Sequence, residues 1–290
     1  MREHRRVLCA LGDLVDDVVV TLSALPRRGT DTPAVIRHRR GGSAANVAAA
    51  AARCGVAARF LGAVGDDALG ERLVADLRGC GVDVRVQRRG RTGTIVVLVE
   101  PDGERTMLPD RGACTTLDHV PDEWLTDVDV LHVPAYSLVA EPLASAARSA
   151  WLRSAGGLRS IDASSVALVE EVGVDRFRSM LAEVAPDVLL ANGDEAWALD
   201  LDRPVPGVAT TVVKHGADPV QWRDGDGPWR HVAVPPLARV VDTTGAGDAF
   251  AAGFLAARRD RQDTAAAVVE GIRVAQGVLA DAAEAMEAQT

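Results

Sequence analysis

The sequence predicts an α/β fold: a mainly parallel β-sheet covered by helices on both faces, with a small second β-sheet inserted into it. Apolar runs typical of buried strands alternate with helical patterns over most of the chain. Such alternation is typical of right-handed βαβ units, which build a parallel sheet. Two stretches of short β patterns rich in turn residues depart from this alternation, and they predict the small sheet.

The strands and helices of the main sheet follow one another in regular order. Six apolar runs predict strands at Val7–Gly12, Arg59–Gly65, Val128–Val133, Arg159–Asp162, Val188–Ala191 and Thr210–Lys214. Five segments predict the helices between them: Ala44–Cys54, Leu69–Cys80, Pro142–Ala155, Asp175–Val184 and Glu195–Leu199. Two alanine-rich helices, Ala246–Arg259 and Thr264–Leu279, follow. No linker separates these elements, so we expect one domain over residues 1–290.

Residues 18–40 and about 82–110 are the two stretches that predict the small sheet. The second contains three short β patterns, with a hairpin turn at Asp102–Gly103. Both stretches follow early strands of the main sheet. Ligands of open α/β sheets bind beyond the carboxyl ends of the strands, so we expect the small sheet to act there as a lid.

The lid strand Thr94–Val99 is almost entirely apolar. A strand with one solvated face would show polar residues at every second position, so both faces should be covered. The substrate can cover one face. The other can be covered by the main domain or by the same lid of a second subunit, and the second arrangement predicts a homodimer with paired lids.

Composition and charge exclude several classes of protein. With 48% hydrophobic and 25% charged residues, the chain is neither disordered nor fibrous. Its formal net charge of −9 is poorly suited to non-specific nucleic-acid binding. An anionic substrate must therefore be held by local groups. Lys214 is the only lysine, so a phosphate site must use backbone amides, arginines or that residue.

The cysteines and the hydropathy pattern indicate an intracellular environment. The four cysteines lie far apart and form no CxxC pair, which argues against a zinc or redox site. They are typical of reduced thiols in a cytoplasmic protein. No stretch of 18 apolar residues occurs, so we expect neither a membrane span nor a membrane partner.

The clearest chemical signal is the segment Asp242-Thr243-Thr244-Gly245-Ala246-Gly247-Asp248. Small residues at a helix start leave backbone amides free, and with the helix dipole they form an anion site. Asp248 lies in the first turn, where its carboxylate would repel a phosphate unless it acts on the phosphate's partner. A base beside an anion site is the arrangement that phosphoryl transfer needs.

A second signal is Gly41-Gly42-Ser43-Ala44-Ala45-Asn46, at the start of an alanine-rich helix. The amide of Asn46 offers a donor and an acceptor to a polyol. The two glycines can expose backbone amides to ligand oxygens. Capping by Ser43 and helix packing are the structural alternatives for this segment.

Together these two segments, in this order, resemble the motifs of the pfkB (ribokinase-like) family of carbohydrate kinases. The resemblance extends from Gly12 to about Gly277. It implies a three-layer α/β/α domain with a small β lid. It also implies transfer of the ATP γ-phosphoryl group to a hydroxyl of a sugar or nucleoside, with Mg²⁺.

The resemblance also implies roles for residues near the reacting groups. Asp248 matches the family's catalytic base, and Gly245, Ala246 and Gly247 match its anion hole.

Three further residues match the family's substrate contacts: Asp17, Gly42 and Asn46. A carboxylate that holds two neighbouring hydroxyls suits a polyol. Ribokinase itself has Asn two positions before the aspartate, where this chain has Val15, so ribose is not implied.

On the nucleotide side, Asn192 and Glu195 match an Asn-x-x-Glu element that holds Mg²⁺, largely through water. Lys214 and Gly216 lie where the family lines the nucleotide.

Asp242 and Thr244 match positions near which some members bind a monovalent cation, which would be K⁺. The C-terminal residues that complete that site have no counterpart in residues 280–290.

Three rival functions remain for the sequence. A nucleoside kinase of the same fold would stack a base, for instance on Tyr136, but aromatic residues make up only 3% of the chain. A non-catalytic sugar-binding protein would not need Asp248 beside an intact glycine loop. A dinucleotide oxidoreductase would need GxGxxG after the first strand, where the chain has Gly12-Asp13-Leu14.

Overall fold

A computed structural model describes residues 6–287, within which it contains thirteen strands and eight α-helices. The strands are β1 (Val7–Gly12), β2 (Val15–Leu22), β3 (Ala34–Gly41), β4 (Ala57–Val64), β5 (Asp83–Arg88), β6 (Thr94–Val99), β7 (Arg105–Asp110), β8 (Val128–Pro134), β9 (Leu158–Asp162), β10 (Val188–Asn192), β11 (Thr210–His215), β12 (Asp218–Asp224) and β13 (Arg230–Val232). The helices are α1 (Ser43–Arg53), α2 (Ala68–Gly79), α3 (Leu143–Arg153), α4 (Val166–Val172), α5 (Val174–Val184), α6 (Gly193–Ala198), α7 (Ala246–Arg259) and α8 (Thr264–Glu287).

The main sheet contains nine strands in the order β13-β12-β11-β10-β9-β8-β1-β4-β5. Every pair from β11 to β5 is parallel, and only β12 and β13 run antiparallel at one edge. All six strands predicted for the main sheet lie in it, which confirms the mainly parallel architecture. The β12–β13 hairpin and the short helix α4 were not predicted.

Helices cover both faces of this sheet, as expected. Side chains of β1 alternate between the two faces: Leu8 and Ala10 pack in a core with α1, α2, α7 and α8. Cys9 and Leu11 pack in a second core with α3, α4, α5 and α6. The three-layer α/β/α arrangement is therefore confirmed. Across the described chain, no helix combines the length and hydropathy that a bilayer crossing requires.

The small sheet contains four strands in the order β3-β2-β6-β7. The predicted boundary of its second part is wrong, because β5 does not belong to it. Instead, β5 pairs with β4 along the edge of the main sheet, from Arg59↔Asp83 to Val64↔Arg88, and Val84 is buried in the core. An edge strand there satisfies the free backbone groups of β4. The lid therefore consists of β2, β3, β6 and β7. Its first strand, β2, starts at Val15 rather than at residue 18.

Candidate active site

The start of α7 has free backbone amides. Gly245 turns the chain into the helix with a φ of +77°, a left-handed conformation that glycine adopts without steric cost. Within residues 6–287, the amides of Gly247 and Asp248 have no hydrogen-bond acceptor. Free amides at a helix N-terminus attract anions, so this turn can hold a phosphoryl group.

The carboxylate of Asp248 is held beside these amides by the first turn of α1. Its Oδ1 accepts a hydrogen bond from the Ser43 hydroxyl at 2.7 Å, and its Oδ2 accepts one from Asn46 Nδ2 at 3.0 Å. Burial raises the pKa of Asp248 to about 7; the two hydrogen bonds oppose that rise, whereas the negative charge of Asp162 adds to it. A carboxylate with a pKa near 7 is suited to take a proton at neutral pH.

Ser43 is a site residue that the sequence analysis named only in the structural alternative, as a helix cap. Its side chain makes no capping hydrogen bond to α1 and instead donates to Asp248. Ser43 and Asn46 are three residues apart and therefore share one face of the helix. That spacing beside the glycine pair is the sequence signal from which Ser43 could have been found.

Asp17 differs from the two other aspartates of its segment. Asp13 accepts an amide hydrogen bond at the start of α1, and Asp16 is bound by His38 at 2.6 Å and by Arg72 at 2.7 Å. Within the described chain, the Asp17 carboxylate has no hydrogen bond or ion pair. Burial, with the negative charges of Asp13 and Asp16, raises the pKa of Asp17 to about 6. Its oxygens are therefore free to accept hydrogen bonds from a ligand.

The glycine pair lets α1 start directly against these carboxylates. A Cβ atom at Gly41 would lie 2.2 Å from Asp17 Oδ1. Gly42 has a φ of +99°, and a Cβ atom there would lie 2.3 Å from the Asp13 carbonyl oxygen. Any larger residue would have to push the backbone or Asp17 aside, which explains both glycines.

A cavity of about 190 Å³ lies between the inner face of the lid and α1. Asp17, Asn46 and Gly245 line it. Drug-sized ligands occupy roughly 300–1,000 Å³, so this cavity suits a smaller molecule. Two of the predicted substrate contacts therefore line the cavity, and one of them, Asn46, connects it to the predicted base by its hydrogen bond to Asp248.

Two lid arginines hold the lid against the glycine loop. Arg39 of β3 donates to Asp242 Oδ2 at 3.0 Å, and Arg105 of β7 donates to Asp242 Oδ1 at 2.6 Å and to the Thr244 hydroxyl. Burial raises the pKa of Asp242, but the hydrogen bonds from Arg105, Thr244 and Arg39 outweigh it and hold the pKa well below its usual range. The lid is therefore closed over the cavity.

Lys214 lies below the glycine loop at the carboxyl end of β11. Its Nζ donates to Asp162 Oδ2 at 3.0 Å, and a Cβ atom at Gly247 would lie 3.5 Å from it. Burial would lower the pKa of Lys214, but the Asp162 and Glu195 carboxylates outweigh burial and raise it. The lysine is therefore charged next to the turn that can hold a phosphoryl group.

Gly216, the other residue predicted to line the nucleotide, is exposed. It lies in the exposed turn between β11 and β12, with a φ of +63° and no neighbour within 4 Å of a Cβ atom built on it. Its role toward a nucleotide stays a prediction.

Comparison with known proteins identifies the family. The profile of the pfkB family carbohydrate kinases matches residues 6–283. The chain belongs to this family. It is 36% identical over 269 residues to a protein of Halopiger xanaduensis named ATP-dependent ribose-1-phosphate kinase, covering 87% of this chain and 84% of that protein. Fructokinase-1 of Zea mays is 29% identical over 88% of this chain and 84% of its own length.

Solved structures agree with this membership. The adenosine kinase of Sinorhizobium meliloti superimposes with a TM-score of 0.82 and 26% identity, covering 96% of this chain and 94% of that one. This pfkB kinase is thus a carbohydrate or nucleoside kinase, a phosphotransferase with an alcohol group as acceptor.

ATP-dependent kinases use Mg²⁺, and the residues of this pfkB kinase fit it only in part. Among residues 6–287, no three His, Cys, Asp or Glu side chains form a group that could hold a metal ion. Both Glu195 carboxylate oxygens accept hydrogen bonds from Asn192, at 2.8 and 2.9 Å, in a capping box. Mg²⁺ usually keeps several waters and binds substrate phosphates. Glu195 therefore fits contact through water better than direct coordination.

The predicted potassium pair of this pfkB kinase has other partners. Asp242 and Thr244 both accept hydrogen bonds from lid guanidinium groups. Because two arginines already balance the Asp242 carboxylate, the pair does not fit a monovalent cation in this structure.

Asp162 is a further residue that the sequence analysis placed only as the end of a strand. Burial raises its pKa, but Lys214 outweighs burial and the pKa is lowered, so Asp162 is an ionised partner of that lysine. The sequence signal for Asp162 was an acidic residue at the carboxyl end of a predicted parallel strand, where ligands of such sheets bind. Arg39 had no such signal, because its partner Asp242 lies 203 residues further along the chain.

Proposed function

We propose that this chain transfers the γ-phosphoryl group of ATP to a hydroxyl of a small sugar, with Asp248 as the general base. The observation that supports it most is the position of Asp248. Its carboxylate lies in the first turn of α7, where neighbouring amides are free, and is held by Ser43 and Asn46 with a pKa of about 7.

In the proposed reaction, Asp248 accepts the proton of the attacking hydroxyl. The free backbone amides at the start of α7, among them that of Gly247, bind the oxygens of the transferring group as negative charge develops there, whereas the Ala246 amide, also predicted for the anion hole, donates to the Thr243 carbonyl oxygen at 3.2 Å in this structure. Asp17, Gly42 and Asn46 bind and orient the sugar, so that one hydroxyl faces Asp248. The closed lid excludes water, which would otherwise accept the phosphoryl group.

On the nucleotide side, Lys214 is the cation that we assign to the ATP phosphates, and Gly216 lines the nucleotide. Asn192 and Glu195 are the residues that would hold Mg²⁺, largely through water. When bound, Mg²⁺ neutralises negative charge on the phosphates.

A sugar suits the cavity better than a nucleoside does. None of the residues that line the cavity is aromatic. A purine base stacks best on an aromatic ring, whereas the apolar residues of this cavity are aliphatic or methionine: Val19, Ala50, Val97, Val99, Met107 and Val278. The similarity to an adenosine kinase keeps a nucleoside as the second candidate. A non-catalytic sugar-binding role is opposed by the complete arrangement of Asp248 and free amides.

Release of ADP from ATP and Mg²⁺ tests this proposal over a panel of acceptors. The names of the relatives suggest ribose 1-phosphate, fructose and adenosine, to which we add ribose and fructose 6-phosphate. We expect ADP release that depends on a sugar acceptor. ADP release with adenosine alone would favour the nucleoside kinase, and none with any acceptor would contradict the proposal.

The rate should depend on pH through Asp248. Because its pKa is raised to about 7, the carboxyl group is protonated below that pH and cannot accept a proton. We expect kcat/KM to fall as the pH falls through 7, and more steeply below 6, where Asp17 also becomes protonated. The measurement is kcat/KM for the preferred acceptor across this range. A profile that stays flat from about pH 8 to about pH 5.5 would be incompatible with this base.

The outer face of the lid supports the proposed homodimer. The register of the small sheet places Val18, Val20, Leu98, Ile36 and Leu108 on one face, opposite the face that lines the cavity. Ile36 is 60% exposed and Leu108 53% exposed. A contiguous apolar face of this kind is typical of an interaction surface, and an identical lid is complementary in composition.

We expect light scattering to give a particle of about twice the chain mass of 30.4 kDa at micromolar concentration. Replacing Ile36 and Leu108 together with aspartate should give a monomer, because each charge would be buried in the interface. Trp197→Asp is the control, since Trp197 is 85% exposed on α6, outside the lid. A wild-type particle of 30.4 kDa would contradict the dimer and leave the kinase proposal standing.

A further inference from the structure

Residues 242–247, the glycine loop, lead into α7 through the left-handed turn at Gly245. Asp242 stabilises the start of this loop, because its Oδ1 accepts a hydrogen bond from the Thr244 backbone amide at 2.8 Å. An aspartate that accepts the amide two residues further on forms a turn of its own. The position of the free amides of α7 therefore depends on the Asp242 carboxylate.

Two arginines of the lid converge on that carboxylate. Arg105 Nη2 donates to Asp242 Oδ1 at 2.6 Å, and its Nη1 donates to the Thr244 hydroxyl. Arg39 Nη1 donates to Asp242 Oδ2 at 3.0 Å. Every oxygen of the Asp242 and Thr244 side chains thus accepts a hydrogen bond from a guanidinium group, and Arg105 joins the two side chains to each other.

These arginines come from opposite edges of the lid. Arg39 lies in β3 and Arg105 in β7, which are the outer strands of the sheet β3-β2-β6-β7. Three strand spacings separate them, about 14 Å. The strand register places both side chains on the face that carries Asp17, which lines the cavity. One carboxylate of the glycine loop thus binds both edges of the lid.

The guanidinium groups do at Asp242 and Thr244 what a bound monovalent cation would do. They bring permanent positive charge to the carboxylate, and they fix Thr244 against Asp242. A cation bound by the same oxygens would lie against two guanidinium groups, and like charges at such a distance repel each other. Residues 280–290 also offer no counterpart of the C-terminal residues that complete the cation site of some pfkB members.

We propose that Arg39 and Arg105 take the place of the monovalent cation, so that the lid, rather than dissolved K⁺, balances Asp242 and holds the glycine loop. Both are positioning residues, because they act on the amides of α7 through Asp242 and Thr244. The inferred effect on rate rests on the proposed kinase function, in which these amides bind the transferring phosphoryl group. The reaction of this pfkB kinase is then independent of K⁺.

Arg40, a further arginine beside the cavity, is engaged elsewhere. Its Nε donates to Asp76 at 3.0 Å, and its Nη1 donates to Asn46 Oδ1 at 3.0 Å. These contacts hold Arg40 against α1 and α2, away from the glycine loop. The arrangement at Asp242 thus depends on two particular lid positions and does not follow from the number of arginines around the cavity.

Exchange of the monovalent cation in the assay tests the inference. ADP release from the Tris salt of ATP, with Mg²⁺ and the preferred sugar, is measured in KCl, NaCl and choline chloride at equal ionic strength. We expect the wild type to have the same kcat and the same KM for ATP in all three salts. A kcat that rises with K⁺ and saturates would overturn the inference.

The melting temperature of the protein without substrates gives a second readout that needs no turnover. A cation that binds the folded protein raises this temperature. We expect the same value in KCl and in choline chloride at equal ionic strength, whereas a rise specific to K⁺ would overturn the inference. If no acceptor gives ADP release, the kinase proposal fails, and the melting temperatures still decide whether the protein binds K⁺.

Arg105→Ala removes the group that joins Asp242 to Thr244. We expect kcat to fall on the order of 10–100-fold, less than the loss of an anion-hole donor itself, because the amides of α7 lose their fixed position. The KM for ATP should change little. Guanidinium chloride at millimolar, non-denaturing concentration should restore part of kcat, since its ion fits between the same oxygens.

Arg39 is tested through its dependence on Asp242. Arg39→Gln should lower kcat in the wild-type background, whereas adding it to Asp242→Asn should cause little further loss. Residues that act through one carboxylate show such non-additive effects. Fully additive losses would overturn the role of Arg39.

Arg91→Gln is the matched control, because Arg91 pairs with Asp110 at the end of β7 at 2.7 Å. The variant removes an ion pair of the lid without touching the glycine loop, so kcat should stay unchanged and guanidinium should not activate it. An unchanged kcat in Arg105→Ala would overturn the inference. So would a rise in its KM for ATP with kcat intact, which would assign the arginines to the nucleotide, or an equal loss of kcat in Arg91→Gln.

Discussion

Asp248→Asn will fold as the wild type does and lose kcat by a factor on the order of 10²–10⁴, the usual contribution of a general base. Asparagine has nearly the same shape and can still accept a hydrogen bond from Ser43 or Asn46, both of which contact Asp248. It cannot take the proton of the attacking hydroxyl. Steady-state kinetics with the preferred acceptor measure the loss.

The control for this variant is Asp281→Asn, an exposed aspartate on α8 that lies outside the cavity. Circular dichroism and the melting temperature of Asp248→Asn should match those of the control. No loss of stability is expected for Asp248→Asn, because the buried carboxyl has a raised pKa and its ionisation opposes folding at neutral pH. Turnover near the wild-type value would refute the assignment of Asp248 as the base.

Asp17→Ala will remove most of the affinity for the sugar and leave ATP binding nearly intact. Asp17 lines the cavity and has no partner within the described residues, so its carboxylate is available to two sugar hydroxyls. Each hydrogen bond to a charged group contributes about 1.5–3 kcal/mol, so losing two should weaken binding by about 3–6 kcal/mol. Isothermal titration calorimetry with sugar and with ATP separates the two affinities.

Asp31→Ala is the control for Asp17→Ala, because Asp31 is exposed in the loop between β2 and β3. It should change neither affinity. An unchanged sugar affinity in Asp17→Ala would reject the substrate role, and an equal loss of ATP affinity would indicate a general disturbance of the site.

The parts of the site that the sequence predicted are those with a local signal. Asp248 follows two glycines at a helix start, and Asn46 follows the glycine pair at the start of α1. Both segments end beyond the same edge of the sheet, so their contact over 202 residues follows from the fold class. From the sequence alone only the order of the two motifs along the chain is known. The structure joins them by the hydrogen bond from Asn46 to Asp248.

The parts that the sequence did not predict depend on contacts between distant segments. Arg39 and Asp242 are 203 residues apart, and neither lies in a pattern that indicates the other. Strand β5 looks like its lid neighbours, and only its pairing with β4 places it in the main sheet. Asp162 ends β9 and Lys214 lies in β11, with β10 between them in the sheet. Asp162 belongs to the site because Lys214 donates a hydrogen bond to it across β10.

Phosphoryl transfer to a sugar by this kinase is settled by identifying the reaction products. The enzyme is incubated with ATP, Mg²⁺ and the preferred sugar, and mass spectrometry and ³¹P NMR follow both substrates. We expect one ADP for each sugar that gains one phosphoryl group, and almost none of either product with Asp248→Asn. ADP formed without a phosphorylated sugar, or equal product formation by Asp248→Asn, would contradict it.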